Sequence, residues 1–179
     1  MRALFIVPSL KNAGPVIVVY DLVHLLIKRG HKCCVCYFDK VEELSFNCDV
    51  VQISMRQKIN FSDYDIVHTH NTACQLFAAI GSVLCSVVLV TTEHNTSNRR
   101  RDWKWYKLLD KWMYSRYRSI ICISDKAREN LCLYLETGKF IKTIYNGIDL
   151  KCFQEVQADT SFRNGKTVVT MVAGFRYQK

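Results

Sequence analysis

The sequence predicts an α/β fold, a doubly wound parallel sheet with helices on both faces. Three observations carry this prediction. Short continuous apolar runs, such as residues 3–7 and 119–123, alternate with longer segments whose apolar residues recur at helical spacing. The runs are apolar at successive positions, as strands buried on both faces require. Two of them, VVLVTTEHN at 87–95 and DIVHTHN at 65–71, stop abruptly in histidine and asparagine. In an open parallel sheet, ligands bind outside the carboxyl ends of the strands, so these endings mark a candidate site.

In chain order, residues 3–7 form a strand ending at Pro8. Pro15 suits the first turn of a helix, where its missing N–H costs nothing. Val16, Val19, Val23, Leu26 and Ile27 share one helical face, and Lys28, Arg29 and Gly30 close the helix with cations and a C′ glycine. A strand at 32–38 completes a βαβ unit with a right-handed crossover. Residues 39–63 are poorly patterned, with a short strand expected at 50–53. The strand at 65–70, a small-residue helix over 72–82 and the strand from 87 follow. After a polar loop at 96–101, a helix is expected over 102–117, then a strand at 119–124. Ser124 or Asp125 caps a further helix ending near Gly138, and a strand at 140–145 stops at Asn146. Residues 150–165 are irregular. A last strand at 167–173 has no helix behind it and reads as the opening of a second domain. The expected division is 1–164 and 165–179.

The 179 residues suffice for one domain with a core, and only 2 prolines in a chain 49% hydrophobic argue against disorder. A net charge of +9 points to an anionic partner: a phosphorylated small molecule, an anionic membrane face or nucleic acid. No nucleic-acid recognition motif accompanies the charge, so that class is set aside. The 9 cysteines are odd in number and several lie in strand-like runs, as buried free thiols in a reducing cytosol do. Cys33 and Cys36 lack a second ligand pair at zinc spacing. The first apolar run is too short for a signal peptide, and the apolar stretch at 76–90 is too short to span a membrane.

Several residues then stand as site candidates. Asn12 and Gly14 occupy the loop before the first helix, whose backbone N–H groups suit an anion; an ordinary tight turn is the alternative. His68 and His70, at period 2, face one side of their strand, either as structural histidines or as cleft lining. His94 ends a buried strand, and Glu93 should point to the opposite side, which argues against a dyad. The run from Arg99 through Arg100 and Arg101 to Arg118 is strongly basic. Within it Trp105, Leu108, Leu109, Trp112 and Met113 form one apolar stripe, expected to face the core. A helix lying on an anionic membrane is the functional alternative.

The order of motifs resembles the N-terminal half of a GT-B glycosyltransferase of the retaining family 4 type. The pieces are KNAGP at 11–15, KRGH at 28–31, DIVHTH at 65–70, TEHN at 92–95, ICISDKAR at 121–128 and YNGID at 145–149. The resemblance implies a Rossmann-like acceptor domain, cut off where a nucleotide-sugar-binding domain begins. It implies transfer of a sugar from a nucleotide-sugar to a glycan or lipid-linked acceptor, in the cytoplasm or on the inner face of the cell membrane. No cofactor and no metal are implied. His94 takes the catalytic place, with His68, His70, Asn71, Asn95, Arg99, Arg100 and Arg101 on the acceptor side. Asn12, Gly14, Arg176 and Lys179 take the donor-phosphate side, although Gly174 stands where the family usually has arginine. The family's E-x7-E region is missing, so the chain alone is expected to be inactive. The competing class is a non-catalytic chain that at most binds acceptor or an anionic membrane surface.

Overall fold

The fold is given by a computed structural model that describes residues 1–96, 98, 101, 103–148, 150, 161 and 166–170. The elements are β1 (Arg2–Leu10), α1 (Gly14–Lys28), β2 (Lys32–Glu42), β3 (Asp49–Gln52), β4 (Ile66–His70) and α2 (Thr72–Gly81). They continue with β5 (Val88–Glu93), α3 (Lys104–Ser115), β6 (Ser119–Cys122), α4 (Asp125–Leu135) and β7 (Ile141–Thr143). All seven strands pair parallel in the order β3-β2-β1-β4-β5-β6-β7. The predicted doubly wound fold is the observed one.

The pleat of β1 sorts the core into two layers. Ala3, Phe5 and Val7 pack with Val16, Val19 and Val23 of α1. Leu4 and Ile6 face the other way, into a cluster with Cys74, Phe77 and Ala78 of α2, Met113 and Tyr114 of α3, and Leu131 of α4. Chain order reverses between β1 and β4, so the carboxyl ends of these two strands form the topological switch point. Local signals hold where their chemistry is specific. Pro15 sits in the first turn of α1, Gly30 takes φ 79° just past its end, and the Ser124 side chain accepts from the Ala127 N–H at 3.2 Å.

One expectation is corrected. The apolar stripe of α3 does not face the core: Trp105 is 87% exposed and Leu108 75%, while Leu109 and Trp112 are each 40% exposed. Only Met113 of that stripe is buried, beside Asp110, Tyr114 and Tyr117. The helix turns its hydrogen-bonding side inward because the sheet presents a buried carboxylate that needs donors. The strand expected at 167–173 is not formed over residues 167–170, and 171–173 lie outside the described residues. Contacts group Met1–Asn146 into one compact unit and Gly147–Lys179 into another.

Candidate functional site

A cleft of about 530 Å³ opens at the carboxyl edge of the sheet. Pro8, Ser9 and Lys11 contribute from the end of β1, Ala13, Pro15 and Val16 from the start of α1. His70, Asn71 and Thr72 follow β4, and Thr92, Glu93, His94, Asn95 and Asn98 follow β5.

Parallel register assembles three imidazoles here. His70 pairs across with Thr92, and His68 with Val90, so His94 projects on the same face just beyond the strand end. His68 Nε2 lies 2.8 Å from Thr92 Oγ1, and His70 Nδ1 lies 2.9 Å from His94 Nε2. The His68 and His70 rings lie tilted by 35° at 4.4 Å between centroids, and His70 and His94 by 31° at 5.2 Å. His70 is fully buried, and its Nε2 has no hydrogen-bond partner among the described residues. Burial dominates the titration of all three. It holds His68 down to about 4, with the neighbouring His94 adding to it, and holds His70 well below the ordinary imidazole range. It lowers His94 too, opposed by Glu93. At neutral pH the cluster is uncharged.

Glu93 points through the sheet to the other layer, so the two residues form no dyad. Its Oε1 accepts from Gln75 Nε2 and from the Tyr114 hydroxyl, each at 2.5 Å, and its Oε2 from Arg101 at 3.1 Å. Both side chains of the ion pair are nearly buried, and Arg101 also lies over the Tyr134 ring at 5.4 Å. A carboxylate in this setting needs charged and neutral donors together. It receives them from α2, α3 and the loop after β5. Burial and Glu93 push the Tyr114 hydroxyl well above its ordinary range, so it stays a donor.

The other expected residues fall in different places. Arg101, expected to meet an anionic acceptor or membrane, is turned inward onto Glu93. His70 belongs to the cleft floor and is fully buried there. His68 is partly buried behind it. Asn71 and Asn95 are exposed at the rim. The Asn12 N–H donates to Glu43 Oε2 at 2.8 Å, so a carboxylate already occupies a group expected to meet phosphate. Gly14 leaves room around it, since an added Cβ meets nothing within 4 Å. Arg99, Arg100, Arg176 and Lys179 lie outside the described residues.

Two features escaped the sequence reading. Asn71 adopts φ 83° and ψ 150°, a region nearly exclusive to glycine, while its side chain caps α2 through the Ala73 N–H at 3.4 Å. Glu43 had no signal, lying in an unpatterned stretch. Among the described residues no group of three His, Cys, Asp or Glu is arranged to hold a metal ion. No described helix is long and apolar enough to cross a membrane.

Comparison with known proteins bears on this geometry. The family described as Glycosyltransferase Family 4 matches residues 50–151, more than half of the chain. No curated protein sequence matches it. Among solved structures, HepE from Anabaena, in complex with UDP and glucose, is similar at TM-score 0.69 and 17% identity, over 84% of this chain and 46% of its own. Sucrose-phosphate synthase from Thermosynechococcus elongatus is similar at TM-score 0.62 and 14% identity, over 84% of this chain and 49% of its own. A glycosyltransferase from Rickettsia africae gives TM-score 0.62 and 16% identity, over 89% and 46%. The chain thus spans about half the length of these proteins.

Proposed function

The chain belongs to glycosyltransferase family 4, and on that footing we propose that it is the acceptor-side half of an enzyme transferring a sugar from a nucleotide-sugar to a glycan or lipid-linked acceptor with retained configuration. The observation that carries this reading is the switch-point cleft, into which a neutral, half-buried imidazole, His94, is held by a second buried imidazole. An uncharged ring among exposed asparagines suits hydroxyl-rich ligands, which require oriented hydrogen bonds and no net charge. HepE, of similar fold, was solved with UDP and glucose.

In the proposed reaction the acceptor oxygen bonds the anomeric carbon as the bond to the diphosphate oxygen breaks. The hydroxyl proton leaves with the departing nucleoside diphosphate, so no protein base is required. His94 holds a sugar oxygen in register, and Asn71 and Asn95 bind further hydroxyls. The Asn12–Gly14 loop, at the N-terminus of α1, faces the donor phosphates. Glu43 beside Asn12 opposes tight anion binding at that loop.

The outward face of α3 supports a lipid-linked acceptor at an anionic membrane surface. Exposed Trp103, Trp105, Leu108 and Trp112 supply interfacial aromatic and apolar groups. Lys107 and Lys111 flank them, sharing one carboxylate, Glu136. The test is transfer from labelled nucleotide-sugars to glycan and lipid-linked acceptors, with the chain joined to a donor-side half. His94→Ala is expected to lower transfer while leaving the fold intact. Unchanged turnover in that variant contradicts the assignment.

A further inference from the structure

We propose that His70 is a positioning residue that fixes the tautomer of His94, so that His94 presents an N–H donor, Nδ1–H, to the cleft. The functional consequence rests on the reading of the cleft as a sugar site; the tautomer itself does not.

His70 is wholly enclosed, and the group it holds toward the cleft is His94. Its Nδ1 is engaged with His94 Nε2 at 2.9 Å, and its Nε2 is buried without a partner among the described residues. One proton must be placed on this ring. If it sits on Nε2, a buried N–H is left with nothing to donate to, and Nδ1 must accept from His94. If it sits on Nδ1, the orphan is a lone pair and the hydrogen bond runs from His70 to His94. Buried N–H groups without an acceptor are the rarer of the two defects. The second arrangement is therefore favoured. His70 Nδ1–H donates, His94 Nε2 accepts, and the proton of His94 is left on Nδ1, the ring nitrogen not taken up by His70.

The alternative of a charged pair is closed by the surroundings. The His68 ring lies 4.4 Å from that of His70, its own Nε2 taken by Thr92, so a cation at His70 would sit enclosed between two neighbouring imidazoles. Burial holds His70 and His94 below the ordinary histidine range, consistent with two neutral rings. A free neutral imidazole prefers its proton on Nε2, so the fold imposes the minor form on His94. The chemical result is a fixed, uncharged donor for an oxygen atom, and the ring nitrogen that could serve as a base is taken up by His70.

The test is long-range 1H–15N correlation of the histidine rings in the full 179-residue chain at neutral pH, which reports the tautomer without any activity. The proposal expects His94 protonated at Nδ1 and bare at Nε2, with a coupling across the hydrogen bond from the protonated His70 Nδ1 to His94 Nε2. His94 protonated at Nε2 overturns it. His70→Phe is expected to release His94 to the Nε2–H form or a mixture. Thr92→Val, which removes the His68 partner but not the His70–His94 bond, is expected to leave His94 unchanged. A tautomer that persists in His70→Phe, or that shifts equally in Thr92→Val, also overturns it. Should His70→Phe fail to fold, the wild-type spectrum and its cross-bond coupling decide alone. Absence of sugar transfer in a completed enzyme, with the tautomer as expected, would count against the function and not against the role of His70.

Discussion

The cleft at the carboxyl edge and the outer face of α3 invert the usual rule in opposite senses. At the cleft, polar groups are buried: His70, Thr92 and Glu93 lie within the sheet's edge, each engaged by another side chain. On α3, large apolar groups are exposed, Trp105 and Leu108 most of all. Scattered exposed apolar residues need no explanation, but a stripe of Trp and Leu on one helix face does. Buried polar groups likewise persist only when the network around them is nearly complete. The difference teaches that the polar groups of the cleft are held in place by one another. Among the described residues the helix face has no partner covering its apolar groups.

That contrast can be broken by substitution. Glu93→Ala removes the acceptor that Arg101, Tyr114 and Gln75 share, leaving a nearly buried guanidinium uncompensated, so urea unfolding should show a loss of about 3–5 kcal/mol. Acid should act on the same region. His68 is held down to about 4 in the folded chain against an ordinary value of 6.5, so the unfolded state binds the extra proton between those limits. Stability should therefore fall as pH drops from about 6.5 toward 4, by about 3 kcal/mol from this residue. Unfolding midpoints across that window check it, and His68→Gln should flatten the slope.

His94→Ala should lower transfer about a hundredfold in a chain joined to a donor-side half, with an unfolding midpoint close to that of the parent. Asn71→Gly sharpens the comparison from the other direction. It relieves the φ 83° backbone and forfeits only the weak cap on α2, so stability should rise by about 1 kcal/mol. Smallest of all, Trp105→Ala should change stability by no more than about 0.5 kcal/mol, because the ring is exposed. The same change should weaken sedimentation with anionic vesicles if α3 lies on a membrane surface. A large loss of stability instead would show that the ring packs inside.

Much of the architecture was legible because its signals are local. Continuous apolar runs gave the strands, and Pro15, Gly30 and Ser124 gave helix ends through their own backbone chemistry. The period of 2 placed His68 and His70 on one face, and alternation separated Glu93 from His94. What was not legible depends on partners far away in sequence. The His70–His94 bond joins residues 24 apart and follows from strand register. Periodicity showed that α3 has an apolar stripe but not which side turns inward. That side is chosen by Glu93, which draws Tyr114 and, through the preceding loop, Arg101 to the interior. The inward Arg101 was hidden for the same reason, since a run of three arginines reads as a solvated face until a buried carboxylate claims one. The strained Asn71 had no sequence signal because asparagine carries no mark of its backbone angles.

The central claim is that the carboxyl-edge cleft of β1, β4 and β5 receives the sugar. Amide chemical-shift mapping of the 179-residue chain with saccharide acceptors and with nucleotide-sugars tests it most directly. The account predicts shifts concentrated at Asn71, Thr72, His94, Asn95 and the Ser9–Lys11 end of β1, lost in His94→Ala. Shifts centred on the cavity of about 230 Å³ lined by Lys111, Tyr117 and Lys139, with the cleft silent, would contradict it.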